Sequence, residues 1–185
     1  MTKKTKFIFI TIFLTLLVNT NCKGYEAKKI ELLLDENYFL KVKQLISSAT
    51  KSVRVMMFEA SYYRKYPDSP SNQLIDALSD ASRRGLKVEV ILDIKNEIDR
   101  TTSRNLDTGK ILKKAGVEVV FDPKNITTHT KLLIIDESIV VLGSTNWTYN
   151  ALTKNHEVST VIHSAETAQK LMEYFQAVKD AGGKL

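Results

Sequence analysis

The sequence predicts an α/β domain: one mixed, mostly parallel sheet with helices on both of its faces. Three observations carry this prediction. Short runs rich in valine and isoleucine alternate along the chain with amphipathic stretches, the pattern of strands alternating with helices. Gly85 and Gly116 close two of the amphipathic stretches, as glycines do at helix C-termini. The 185 residues, 43% apolar and 26% charged, have the size and composition of one folded domain.

Each element follows from local pattern. Residues 30–34 read as a first strand. Asn37 can cap a helix to about residue 49, with Phe39, Val42, Leu45, Ile46 and Ala49 at helical spacing. Residues 52–58 are strand-like, and 62–71, with two prolines, form a loop. A helix over 73–84, a strand over 87–93, a polar loop over 95–104, a helix over 106–115 and a strand over 117–121 follow. Gly109 unsettles the start of that second helix. After a loop at 123–128, strands at 129–135 and 138–142 flank an Asp136-Glu137 turn. A strand at 158–162 and a helix at 165–181 complete the chain, which shows no internal repeat.

The N-terminus reads differently. Lys3, Lys4 and Lys6 precede an apolar run of 12 residues, 7–18. A basic start, a short apolar core and a polar exit make a secretory signal, with an uncleaved membrane anchor as the rival. Residues 1–22 are therefore assigned to a signal or anchor, 23–29 to a linker and 30–185 to the domain. The chain is expected to be exported, either to the cell envelope or beyond it. Cys22 is the only cysteine, so no disulfide forms within the chain. Its place after the apolar run resembles a lipidation site, although Asn19 and Asn21 fit such a site poorly. Ordinary cleavage after Gly24 would discard it. The net charge is +6, and three lysines of residues 1–21 contribute to it, so a chain beginning at Cys22 would carry +3. That is mildly basic, which permits a polyanionic partner without requiring one.

The chemistry concentrates in His129-Thr130-Lys131, Asp136, Gly143-Ser144-Thr145-Asn146 and Glu157. A neutral imidazole can attack phosphorus and split one difficult hydrolysis into two displacements. A carboxylate that accepts its other N–H fixes the tautomer, and Glu157 is the candidate. Lys131 supplies a fixed charge to the non-bridging oxygens, with Asn146 and Ser144 as hydrogen-bond donors. Such groups can do the electrostatic work that other phosphodiesterases assign to metals. Alternation along a strand turns His129 and Lys131 to one face. It gives Asp136 the opposite parity, hence a supporting role. No cluster has zinc-ligand spacing, and no cofactor is called for. The loop Tyr62-Tyr63-Arg64-Lys65 mixes rings and cations, as surfaces that stack bases do.

The spacing His-x-Lys-x4-Asp-x6-Gly-Ser-x-Asn resembles the HKD signature of the phospholipase D superfamily. Glu157 falls where that superfamily's small bacterial endonucleases carry their histidine-orienting acid. The resemblance implies that family's fold and a covalent phosphohistidine intermediate. It also implies a second histidine to protonate the leaving oxygen. With one motif in the chain, a homodimer sharing the active site is the economical arrangement. The favoured activity is cleavage of single-stranded DNA or RNA. The alternatives are a phospholipase D acting on phospholipids such as cardiolipin, and an idle module binding nucleic acid or anionic surfaces.

Overall fold

The structure, a computed structural model, describes residues 24–183. Residues 1–22, expected to be a signal or anchor, and with them Cys22, lie outside these residues. In chain order the elements are β1 (Lys29–Leu34), α1 (Asn37–Ser48), β2 (Ser52–Met57), α2 (Pro70–Arg83), β3 (Lys87–Leu92), α3 (Arg100–Lys114), β4 (Glu118–Phe121), β5 (Lys131–Ile135), β6 (Ile139–Gly143), α4 (Tyr149–Thr153), β7 (Val158–His163) and α5 (Ala165–Ala181). The strands form one mixed sheet in the order β1-β7-β6-β5-β2-β3-β4.

Parallel pairing is confined to β2–β3 and β3–β4, and the other four neighbours are antiparallel. The balance differs from the expected mostly parallel sheet for a physical reason. Residues 122–130 contain no crossover helix. The chain therefore re-enters the sheet from the end at which β4 leaves it, and β5 runs against β2. A tight turn at residues 136–138 makes β6 antiparallel to β5, and residues 144–157, which include α4, return the chain so that β7 runs antiparallel to β6.

Helices cover both faces, so the central strands are apolar on both sides. Leu133 and Ile135 of β5 join a cluster with Val42 and Ile46 of α1 and Leu74, Ile75 and Leu78 of α2. Their neighbours Leu132 and Ile134 pack with Ala168 and Phe175 of α5. On that second face Glu89 is buried, with Arg54 at 2.9 Å, Lys87 at 3.1 Å and Lys179 bonded to it. Burial pushes its carboxyl up, but the bonds from Lys179 and Lys87 outweigh this and leave it below its ordinary value.

Several boundaries depart from the sequence reading. Asn37 is the first residue of α1 and Glu36 its cap. α2 begins at Pro70, a residue pre-set for a first helical turn. α3 begins at Arg100, within the expected polar loop, and Asp99 caps it by accepting from Thr102 N at 2.7 Å. The polar residues Thr102, Asn105 and Thr108 form a buried stripe on α3. Asn105 Nδ2 donates to the carbonyls of Phe58 (2.7 Å) and Asp93 (2.8 Å), and Thr108 Oγ1 donates to that of Ala60 (2.7 Å). These bonds satisfy irregular backbone just past β2 and β3.

Candidate active site

Strand direction collects the chemistry at one end of the sheet. β2 and β3 lead directly into Phe58 and Asp93, and β4 into Asp122. β6 runs parallel to β2 and ends at Gly143-Ser144-Thr145-Asn146, while β7 starts there just after Glu157. Crevices at the carboxyl ends of parallel strands are where α/β folds place their sites.

His129 sits in the loop before β5 rather than inside the strand, and it is exposed. The expected alternation within one strand is corrected accordingly. A shared neighbour brings His129 and Lys131 together instead. The His129 ring lies 4.7 Å from the Phe58 ring, tilted by 58°, and Lys131 Nζ lies 5.0 Å from the same ring. Lys131 Nζ also donates to the His129 carbonyl at 2.8 Å. Lys131 is only 6% exposed. Burial pushes its ammonium pKa below the ordinary value, and the charges of Glu157 and Asp93 partly offset this.

The Glu157 carboxylate accepts from Ser144 Oγ and from Asn155 Nδ2 at 3.0 Å. Among the described residues it does not bond the His129 ring, which instead packs against Phe58. Each Glu157 oxygen thus has one donor and keeps capacity for another. Ser144 Oγ also accepts from Val158 N at 3.2 Å. It therefore ties β6 to β7 and is not aimed at a substrate. Asn146 has a buried Oδ1 without a hydrogen-bond partner. Gly143 is fixed by close approach, since a Cβ there would meet the Ser159 side chain and backbone.

Asp136 stands at the other end of β5, at φ 49°. Its carboxylate accepts from the N–H groups of Thr50, Lys51 and Ser52 at 2.8 to 3.1 Å and from the Thr50 hydroxyl at 3.0 Å. It pins the β5–β6 turn to the start of β2. His156 is exposed on the surface, and His163 pairs with Glu31 at 2.9 Å.

The tyrosine loop is divided. Tyr63 and Lys65 line a cleft of about 980 Å³ with Glu59, Arg104 and Tyr149. Tyr62 and Arg64 face a separate hollow against Asp76 and Lys110. The expectation that all four side chains share one surface is corrected, because consecutive residues of an extended segment point to opposite sides.

The sequence reading missed Phe58 and Asp93. Asp93 is wholly buried. Its Oδ1 accepts from Thr128 N at 2.8 Å, and its Oδ2 has no partner. Burial raises its carboxyl above the ordinary value. A carboxylate directly after the apolar triplet Val90-Ile91-Leu92 was the available signal. Among the described residues no group of three or more His, Cys, Asp or Glu is placed to hold a metal. No described helix is long and apolar enough to cross a membrane.

Sheet, helices and site define an α/β domain with its polar machinery at one sheet end. Residues 42–179 match the family described as "Cardiolipin synthase, PLD-like domain", and the chain belongs to this branch of the phospholipase D superfamily. It resembles the phospholipase D family member Nuc from Salmonella typhimurium, with a TM-score of 0.71 and 23% identity over 85% of this chain and 99% of that one. NucT from Helicobacter pylori gives a TM-score of 0.67 and 25% identity at the same coverage. A cardiolipin synthase of Staphylococcus aureus is 29% identical over 71% of this chain and 25% of its own length. A polyphosphate kinase of an Exiguobacterium species is 26% identical over 83% of this chain and 22% of its own length. The chain thus spans about a quarter of these curated relatives.

Proposed function

We propose that this chain is an exported, metal-independent phosphodiesterase that cleaves single-stranded DNA or RNA at a site completed by a second copy of itself. The observation that carries the reading is the gathering of His129, Lys131, Asn146 and Glu157 at one sheet end, beside a cleft lined with tyrosine and arginine. The His129 imidazole attacks phosphorus. The P–O bond to the leaving strand breaks, and the leaving oxygen takes a proton from His129 of the partner subunit. Water then attacks the phosphohistidine, that second imidazole takes its proton, and the P–N bond breaks. Lys131 and Asn146 hold the non-bridging oxygens as charge develops. Glu157 places its negative charge near Lys131 and accepts the N–H of His129 once the imidazole turns from Phe58 toward phosphorus.

An apolar strip supports the second copy. Ile30, Leu32 and Leu34 alternate along β1 onto one face, and Leu32 is 69% exposed. The strip continues through exposed Val158 and Leu142, which adjoin Glu157 and Gly143. Exposed apolar patches of this kind mark interfaces. Attachment of the N-terminus to a membrane, through an uncleaved anchor or lipid on Cys22, belongs to the same reading.

Turnover of a phospholipid such as cardiolipin is the second reading. Ile98 and Ile126, exposed on the two loops that border the site, favour it, as does the named activity of the staphylococcal relative. Labelled single-stranded DNA, RNA, duplex DNA and cardiolipin vesicles, each assayed with EDTA, separate the readings. Cleavage of single strands in chelator, lost in His129→Ala, is expected. Cardiolipin turnover without cleavage of any nucleic acid would replace the nuclease reading. Mixed dimers of His129→Ala and Lys131→Ala chains hold no intact site, so full specific activity from them would exclude the shared cleft.

A further inference from the structure

The cleft beside the site is built more firmly than a surface loop requires. Glu59, in its floor, accepts from Arg104 Nη1 at 2.6 Å, Ser61 Oγ at 3.1 Å and Thr101 Oγ1 at 3.4 Å. The Arg104 guanidinium lies 5.5 Å from the centre of the Tyr63 ring. The Tyr63 hydroxyl accepts from Tyr149 N at 3.2 Å, and its backbone N–H donates to Asn72 Oδ1 at 2.7 Å. The floor is thus a stack of planar groups locked before any ligand arrives. Tyr66 and Tyr149 stand exposed on the walls.

Ser69 supplies a second, independent observation. It is the N-cap of the 14-residue helix α2 and lines the cleft, yet its side chain makes no capping bond. A capping serine ordinarily accepts from the first helical turn. Ser69 is only 6% exposed, and its Oγ is buried without any partner. An idle hydroxyl at a helix N-terminus, where backbone N–H groups and the helix dipole favour negative charge, suits an anionic oxygen. Lys65 and Arg100 add positive charge to the same cleft, against the single exposed carboxylate of Asp68.

The cleft adjoins the reacting groups through the backbone. Glu59 follows Phe58, on which His129 packs, and the Glu59 carbonyl accepts from Trp147 N at 2.9 Å. Trp147 in turn follows Asn146.

We infer that this cleft holds the nucleotide adjoining the scissile phosphate of a single-stranded nucleic acid. Its base stacks on Tyr66 and Tyr149, and its own phosphate meets the Ser69 hydroxyl and the start of α2. The assignment rests on the nuclease reading. It also explains a preference for single strands, because a paired base could not turn out of its stack onto a protein ring without losing its partner.

The test uses full-length His129→Ala protein, a fluorescein-labelled oligonucleotide and an abasic strand of the same length. Replacing both Tyr66 and Tyr149 by Ala should weaken binding of the base-bearing strand roughly tenfold or more and leave the abasic strand unaffected. Ser69→Ala should weaken both strands alike, a few-fold, without lowering the melting temperature. Equal losses on both strands in the double variant, or no loss, would overturn the base assignment. A lowered melting temperature in Ser69→Ala with unchanged binding would make Ser69 an ordinary cap and overturn the phosphate assignment. Cleavage by the wild-type chain, measured in parallel, separates the two levels. If it cuts the strand while the variants bind normally, the cleft assignment alone fails. If it neither binds nor cuts, the nuclease reading fails with it.

Discussion

A Cβ added to Gly143 would lie 2.1 Å from Ser159 Oγ and 2.4 Å from Ser159 Cα. Gly143 and Ser159 are paired across β6 and β7, and the strands approach too closely there for any side chain. This sets the distance from Ser144 to Glu157, and it explains why a glycine opens the Gly-Ser-x-Asn segment. Gly143→Ala should force β7 outward, costing about 1–3 kcal/mol as overpacking does. Thermal unfolding checks the stability loss, and phosphodiester turnover at a permissive temperature should fall as well, because Ser144 and Glu157 part.

Lys131 is a buried cation whose charge is disfavoured by its desolvation. Lys131→Met keeps the chain length and removes the desolvated charge. Its melting temperature should not fall, while kcat should drop roughly 10²–10³-fold, as for loss of a fixed donor at developing charge. A matched loss of stability and activity would assign Lys131 a mainly structural part.

Asp136 stabilises from the far end of the sheet. Asp136→Asn removes the charge that three backbone N–H groups share and should destabilise by about 1–3 kcal/mol. Activity per folded molecule should stay near that of the parent. Burial tends to raise the Asp136 carboxyl, but the N–H groups of Lys51, Thr50 and Ser52 and the Thr50 hydroxyl outweigh it and hold it below its ordinary 3.8. Its stabilisation is present above that value and is lost as pH falls through the lower folded one. Urea midpoints for parent and variant should therefore converge in acid.

Glu31 sets a second acid-sensitive contact. Bonds from His163, Lys41 and Lys29, in that order, hold its carboxyl at about 2 against an ordinary 4.5. The stabilisation is complete above 4.5 and disappears as pH falls toward 2. Between those values the melting temperature of Glu31→Gln should depend less steeply on pH than that of the parent. Parallel curves would show that the carboxylate contributes nothing.

The fold and the motif were legible to different depths. Strand–helix alternation and glycine stops located most elements, because apolar periodicity records burial directly. The first turns of α3 were not legible. Thr102, Asn105 and Thr108 are buried by hydrogen bonds to distant backbone, and a polar residue buried that way looks the same in sequence as one in solvent. The spacing of His129, Lys131, Asn146 and Glu157 marked them as one constellation. It could not show that Phe58 gathers the first two, or that Ser144 and Asn155 bond Glu157. Those contacts join residues far apart in the chain, and no local pattern encodes them. The split of Tyr62 and Arg64 from Tyr63 and Lys65 follows the alternation of an extended segment, which reading the four residues as one basic and aromatic patch passed over.

The chain enters β1 at Lys29, which pairs with His163, and leaves that strand beside Glu157. Six residues of strand, roughly 20 Å at 3.3 Å per residue, separate the point of entry from the sheet end that carries Lys131 and Glu157. Any attachment made through residues ahead of Lys29 would grip the molecule by its base. A molecule held that way would turn the end of the sheet beside Glu157 away from its point of attachment.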